Sequence, residues 1–247
     1  FSNFIKSIYQ ISNDVSIYAD LQLRNIDYQT SGSTSNIDQL VVDKKYSFFN
    51  PKAGLNYDIN QKNKIYFSLS KAHREPTRSD FENNINIQPE ELIDYELGWK
   101  YNAENFFVNS NLYYMGYKNQ LVLTGALDDV GSPVRENSGK SYRTGLELES
   151  VYKASNKLNI SANISLSENK NVDYKTNYNG VITDWGDTDI SFSPNVISSA
   201  GIQFSASQDL TFTLLNKFVG NQYMSNTESN ISKLSSYSTT DLNILYT

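Results

Sequence analysis

The chain has no cysteine and one histidine among its 247 residues, and only five prolines. Without thiols there is no disulfide framework and no thiolate metal site. A single imidazole, His73, cannot assemble a Ser-His-Asp relay or a histidine metal cage alone. No enzymatic activity, metal or cofactor is therefore expected. Also missing is any apolar run of about 18 residues, so no transmembrane helix is possible, and a β-barrel is the one remaining way to cross a membrane. Positive charge is sparse and scattered: 21 Lys and Arg face 27 Asp and Glu, for a net charge of -6. That argues against nucleic acid as a partner. The first residues, Phe1-Ser2-Asn3, carry neither an initiator Met nor a charged-then-apolar leader, so the chain reads as a piece of a longer protein.

Aromatic residues are abundant, 13% of the chain with 18 Tyr, although mean hydropathy is only -0.51. The clearest pattern is Pro89 to Gly125. Ile93, Tyr95, Leu97, Trp99 and Tyr101 share one parity, and Asp94, Glu96 and Lys100 share the other. After a turn at residues 102–105, Phe106, Val108, Leu112 and Tyr114 resume the alternation. This period of two is that of a long β-hairpin with one apolar face. The same alternation recurs at 4–11, 15–24, 49–59, 64–70, 142–152, 158–167, 196–204, 210–218 and 237–246.

Connections alternate in length. Turns of about 2 to 5 residues lie near 60, 103, 155 and 208, while loops of roughly 15 to 25 residues are expected at 27–45, 72–89, 118–140, 168–193 and 220–236. Loops that long are uncommon in compact soluble domains, whereas outer-membrane barrels pair short periplasmic turns with long extracellular loops. Tyr142 and Tyr152 lie ten positions apart on one face, about 33 Å along a strand and about 25 Å across a membrane at a 40° tilt. Trp99, Tyr101, Phe106 and Tyr57 lie beside short turns and would form the periplasmic aromatic girdle. The opposite face carries Asp94, Glu96, Lys100, Arg143, Glu147 and Glu149, too many charges for a dry core but suited to a hydrated lumen. A soluble antiparallel sheet with one wet face stays open as an alternative.

Several segments resemble the barrel of a TonB-dependent outer-membrane receptor of the Bacteroidetes type. They include Phe49-Asn50-Pro51-Lys52-Ala53-Gly54-Leu55, Arg74-Glu75-Pro76-Thr77-Arg78-Ser79-Asp80-Phe81, Tyr95-Glu96-Leu97-Gly98, Ser141-Tyr142-Arg143-Thr144-Gly145-Leu146-Glu147 and Gly220-Asn221-Gln222-Tyr223-Met224. The resemblance implies an all-β, antiparallel up-and-down transmembrane barrel of about 22 strands. Residues 1–247 would supply about 11 of them, as a partial barrel domain without the plug and the last strands. It further implies active uptake across the bacterial outer membrane of a ferric siderophore, haem, cobalamin or glycan. The partners implied are membrane lipid and lipopolysaccharide, the small-molecule or glycan ligand, and the TonB complex acting through a plug. A passive porin or adhesin barrel, or a soluble carbohydrate-binding or structural β protein, are the alternatives.

Ligand-binding candidates are His73, Arg74 and Arg78 in the 72–89 loop and Tyr174, Tyr178 and Trp185 in the 168–193 loop, with plain structural roles as the competing account. The loop acids Asp128, Asp129, Asp184, Asp187 and Asp189 suggest a cation-attracting surface or simply solvated loops. If the apolar parity meets lipid, Leu97→Arg abolishes membrane assembly whereas Glu96→Leu is tolerated, as read by outer-membrane fractionation. The reverse pattern would exchange the two faces.

Overall fold

The computed structural model describes residues 1–33, 39–128, 130–178 and 180–247; Asp129 lies outside them, as does the side chain of Tyr178. Strand β1 (Ser2–Gln10) turns into β2 (Val15–Gly32), followed by β3 (Leu40–Asn60) and β4 (Asn63–Arg74). A short helix, α1 (Arg78–Asn83), precedes the hairpin of β5 (Glu90–Asn102) and β6 (Phe106–Lys118). A small second hairpin, β7 (Leu121–Leu127) and β8 (Pro133–Asn137), leads to β9 (Lys140–Ser155), β10 (Leu158–Tyr178) and β11 (Val181–Asp189). The chain closes with β12 (Val196–Ser205), β13 (Leu210–Val219), the two-residue strands β14 (Gln222–Tyr223) and β15 (Lys233–Leu234), and β16 (Tyr237–Tyr246).

Eleven strands form one path, β1-β2-β3-β4-β5-β6-β9-β10-β12-β13-β16, and β11 joins it by pairing with β10 to complete a 12-stranded sheet. Every pairing along it is antiparallel. The up-and-down order puts the short turns at one end and the long connections at the other, so the expected all-β architecture and strand count hold.

Burial runs opposite to that of a soluble sheet. Along β5, Tyr95 (42%), Leu97 (48%) and Trp99 (39%) are exposed, while Asp94 and Glu96 on the other parity are half-buried. Leu112 and Tyr114 on β6 and Phe67 and Leu69 on β4 repeat this. Near the short turns Trp99, Tyr101, Phe106 and Tyr152 make a continuous row, with ring centroids 6.2, 6.1 and 6.2 Å apart. The charged parity lines the cavity described below.

Register on that inner side is marked by a repeated pairing. Tyr18 lies opposite Gly54, Tyr66 opposite Gly98 and Tyr113 opposite Gly145. In each pair the ring covers the glycine, and a Cβ added there would overlap it. Tyr66 completes the fit by donating from its hydroxyl to Asn111 Oδ1 at 3.2 Å, and Lys100 Nζ lies 5.3 Å from the centre of its ring. A one-residue slip would send every side chain to the wrong face, and these pairs resist it because a ring fits only over a bare backbone.

Three expected loops, 27–45, 118–140 and 168–193, are largely strand where described, whereas 220–236 remains mostly irregular. β2 and β3 stay paired to Gly32↔Leu40, so residues 27–32 and 40–45 continue that ladder. Residues 121–137 form β7–β8, and 168–193 is mostly the extension of β10 with β11. Strands β14 and β15 and a 3-10 turn at Asn230–Ser232 occupy 220–236. The alternation of hydrophobicity fades in these parts because polar side chains predominate and apolar ones are few, yet backbone pairing needs no apolar face. The main buried apolar cluster joins three of the long connections: Leu40 and Val42 of β3, Phe81 of α1 with Ile87 after it, and Leu121 of β7, with Tyr28 packed against it.

Gly98→Val would push the Tyr66 ring away and break its bond to Asn111. The expected loss is about 1–3 kcal/mol, measured as a lower denaturant midpoint for refolded protein. The double variant Gly98→Val/Tyr66→Ala should regain part of it.

Candidate functional site

The inner faces of β5, β6, β9 and β10 and the linker between β11 and β12 enclose an open cavity of about 680 Å³ beneath the β7–β8 hairpin. Its wall presents Glu96, Asn111, Tyr113, Arg143 and Glu147 from the strands, and its upper rim presents Arg74, Glu90, Tyr117, Gln120, Asn169 and Phe192. The strand residues arrive here by simple alternation. Arg143 Nη1 donates to Asn169 Oδ1 at 3.1 Å and to Ser193 Oγ at 2.9 Å, which fixes the guanidinium at the cavity wall. Glu96 Oε2 accepts from Ser68 Oγ at 2.9 Å. At the rim, Arg74 Nη2 lies 3.2 Å from Glu90 Oε2, and the same oxygen accepts the Leu121 backbone N–H at 2.8 Å. The pair thereby ties β4, β5 and β7 together.

The cap above the cavity is held by buried amides. Asn226, 1% exposed, donates to the Leu123 carbonyl at 2.9 Å and accepts from the Ser191 backbone N–H at 2.9 Å and from Asn171 Nδ2 at 3.3 Å. One side chain thus links β7, β10, the β11–β12 linker and the segment between β14 and β15. Tyr174 Oη donates to Glu136, joining β10 to β8. Burial, reinforced by this bond to a carboxylate, holds the Tyr174 phenol above its ordinary range. On the far side, Asp80 is 2% exposed, accepts from Thr77 at the start of α1, and pairs with Arg135 of β8 at 3.3 Å.

Of the residues singled out from sequence, Arg74, Glu96, Arg143 and Glu147 meet in this cavity. Lys100 lies further toward the short turns, over Tyr66. Glu149 is exposed and pairs across β9 with Asn109 and Asn163. Asp94 is half-buried, and its Oδ1 finds no partner among the described residues. His73 and Arg74 are not loop residues as expected: they end β4, paired with Glu91 and Glu90. β3 and β4 cease pairing after Lys52↔Ser70, and the His73 ring stacks on Phe48 at 4.9 Å and 5°. Its Nδ1 lies 2.8 Å from Asn50 Oδ1 and its Nε2 lies 3.4 Å from Glu91, so the ring is pinned within the wall.

Arg78 opens α1 and binds Glu82 at 2.7 Å. Trp185 stands exposed on β11 and donates to Thr176 at 3.0 Å. Neither it nor Tyr174 lines the cavity. The acids separate as well. Asp184 pairs with Lys175 at 3.0 Å and Asp189 with Lys170 at 2.7 Å, while Asp128 closes its own turn through the N–H groups of Val130 and Ser132. The Gly186 N–H, helped by Lys175, holds the Asp184 carboxyl below its usual range. No cluster of three or more metal-ligating side chains occurs among the described residues. Sequence reasoning missed Tyr113 and Tyr117. Their signal was an aromatic on the polar parity of β6.

A family model described as TonB dependent receptor-like, beta-barrel matches residues 3–247. The chain belongs to the TonB-dependent receptor β-barrel family. Among solved structures it resembles the siderophore receptor PiuA from Acinetobacter baumannii, with TM-score 0.80 and 19% identity over 99% of this chain and 36% of that one. The ferric yersiniabactin uptake receptor FyuA from Yersinia pestis follows at TM-score 0.73 and 16% identity, covering 99% and 37%. The ferric-catecholate import receptor Fiu from E. coli gives TM-score 0.73 and 14% identity, covering 100% and 38%. At such identities the likeness establishes the fold, and the chain spans little more than a third of these receptors. A search of curated protein sequences finds no match. In this TonB-dependent receptor barrel the cavity faces the interior of the sheet and the long hairpins crown one end.

Asn226→Ala would remove three hydrogen bonds and leave the Ser191 N–H unpaired, at about 1–3 kcal/mol for the buried group. The expected readout is faster protease cleavage between residues 220 and 236, with the barrel core still resistant.

Proposed function

We propose that residues 1–247 form part of the wall and mouth of an outer-membrane active transporter that imports a scarce nutrient. The observation that carries this is the inverted burial of the sheet. Apolar side chains stand exposed on one face while Glu96, Arg143 and Glu147 turn inward around one cavity, the distribution of a barrel set in lipid around a polar lumen. The domain reading is that of a partial barrel, with the plug and the remaining strands supplied by the rest of the protein. Uptake would then draw on the TonB complex acting through that plug, and the role is transport rather than catalysis.

A ferric siderophore is favoured among the substrates, because PiuA, FyuA and Fiu are described as a siderophore, a ferric yersiniabactin and a ferric-catecholate receptor. Haem, cobalamin and glycans are the other classes. What supports ligand capture is that Arg143, anchored through Nη1, lines the space together with the rings of Tyr113, Tyr117 and Phe192. Arg74 is committed to Glu90 and acts first as a brace. The exposed residues Arg78 of α1 and Trp185 of β11 would make first contact with ligand, as would Tyr178.

The test uses the full-length protein in its host. Arg143→Ala should weaken ligand binding about tenfold, the worth of one charge-assisted hydrogen bond, at an unchanged outer-membrane level. A protonophore should stop uptake. Uptake that persists without the proton gradient would favour a passive porin.

A further inference from the structure

The charges around the cavity are unevenly matched. Five charged side chains line it: Arg74, Glu90, Glu96, Arg143 and Glu147. Arg74 and Glu90 neutralise each other at 3.2 Å on the rim. Arg143 is held through Nη1 by the neutral groups of Asn169 and Ser193, so no carboxylate cancels it. Glu96 accepts one hydrogen bond, from Ser68 Oγ, and neither it nor Glu147 has a cationic partner among the described residues. Nearby cations on the inner parity face elsewhere. Lys64 pairs with Asp58 at 3.1 Å, Lys100 lies over the Tyr66 ring, and Lys52 stands opposite Asp20 of β2. Two carboxylates therefore remain against one guanidinium.

Strand alternation sets these groups in order. Arg143 and Glu147 share the inner face of β9 with Gly145 between them, which separates their backbones by about 13 Å along the strand. Tyr113 of β6 lies opposite Gly145 and covers its bare backbone, and on its other side Tyr113 lies opposite Glu96 of β5. The wall thus runs from a guanidinium, across a tyrosine ring, to two carboxylates. A ring in that place suits an ammonium group, which an aromatic face attracts. Tyr117 and Phe192 bring two more rings to the space.

We propose that this cavity takes a ferric siderophore of neutral or positive charge that carries a basic amine, with Glu96, Glu147 and the Tyr113 ring holding the ammonium and Arg143 holding acceptor oxygens of the same ligand. An ammonium donating to a carboxylate makes a charge-assisted hydrogen bond. A ferric tris-catecholate would instead bring three negative charges to a wall that already carries two unpaired carboxylates. Like charges brought together in this way exclude a partner, so the cavity disfavours that class even though one similar structure is described as a ferric-catecholate import receptor. The inference rests on the siderophore reading proposed above and narrows it.

The experiment takes the full-length receptor in non-ionic detergent and titrates three probes by calorimetry: a ferric tris-hydroxamate with one free primary ammonium, the same complex acetylated at that amine, and a ferric tris-catecholate. The ammonium complex should bind, acetylation should weaken it about tenfold or more, and the tris-catecholate should bind more weakly still. Glu96→Gln/Glu147→Gln should bring the ammonium complex down to the level of the acetylated one, whose own affinity stays unchanged. The same variant should bind the tris-catecholate more tightly than the unmodified receptor does, a gain that misfolding cannot produce. Heat-modifiable migration in a gel reports that each protein is folded, and Glu147→Gln alone carries the same expectations at smaller size should the double variant not fold. Equal affinity for the ammonium and acetylated complexes, a preference for the tris-catecholate, or a preference that survives in the glutamine variant overturns the proposal. Binding of none of the three would instead overturn the siderophore reading, and the proposal with it.

Discussion

Pairing between neighbouring strands is what this structure depends on, because its wall has no apolar interior to hold it. In a soluble sheet, burial of one face supplies most of the stability. Here the apolar face is the exposed one, with Leu97 and Leu112 about half accessible. The backbone ladder must therefore run unbroken from β1 to β16. Every other feature is an adjustment to that requirement.

Register is the first consequence. With a period of two, a slip by one residue would place Asp94 and Glu96 on the apolar face and Tyr95 and Leu97 inside. The Tyr18–Gly54, Tyr66–Gly98 and Tyr113–Gly145 pairs recur at alternate interfaces, and each supplies a steric key that a shifted register cannot use. The same rings shape the inner surface. Tyr113 both covers Gly145 and lines the cavity, so one residue serves register and site together.

The second consequence is a division of labour along the strands. Below, the wall is a uniform two-faced lattice. Above, β2–β3 and β10–β11 extend past their neighbours and β7–β8 forms a separate hairpin, and there an ordinary buried cluster forms around Phe81 and Leu40. Buried amides such as Asn226 and Asn171 connect segments that lie far apart in the chain. The cap is thus held as a soluble protein is held, on a wall that is not. The cavity lies at the junction, where Arg143 reaches from β9 to Asn169 and Ser193.

By itself the sequence determined the strands, their two faces, the alternation of short and long connections and the membership of Glu96, Arg143 and Glu147 in one polar face. Each follows from a period of two, which is local and survives without any knowledge of neighbours. Only the tertiary structure decided which charged residues are available to a ligand. His73 and Arg74 read as loop residues but are committed to Asn50, Glu91 and Glu90, because the β4–β5 ladder continues through them. Tyr174 and Trp185 read as loop aromatics, yet β10–β11 pairing carries both away from the cavity. The segments 27–45 and 168–193 hid their strand character because their few apolar residues, such as Leu40 and Val42, make too short a run to show a hydrophobic period. Contacts such as Asn226 to Leu123, made across 103 positions of chain, depend on the order in which strands lie side by side. Periodicity carries no record of that order.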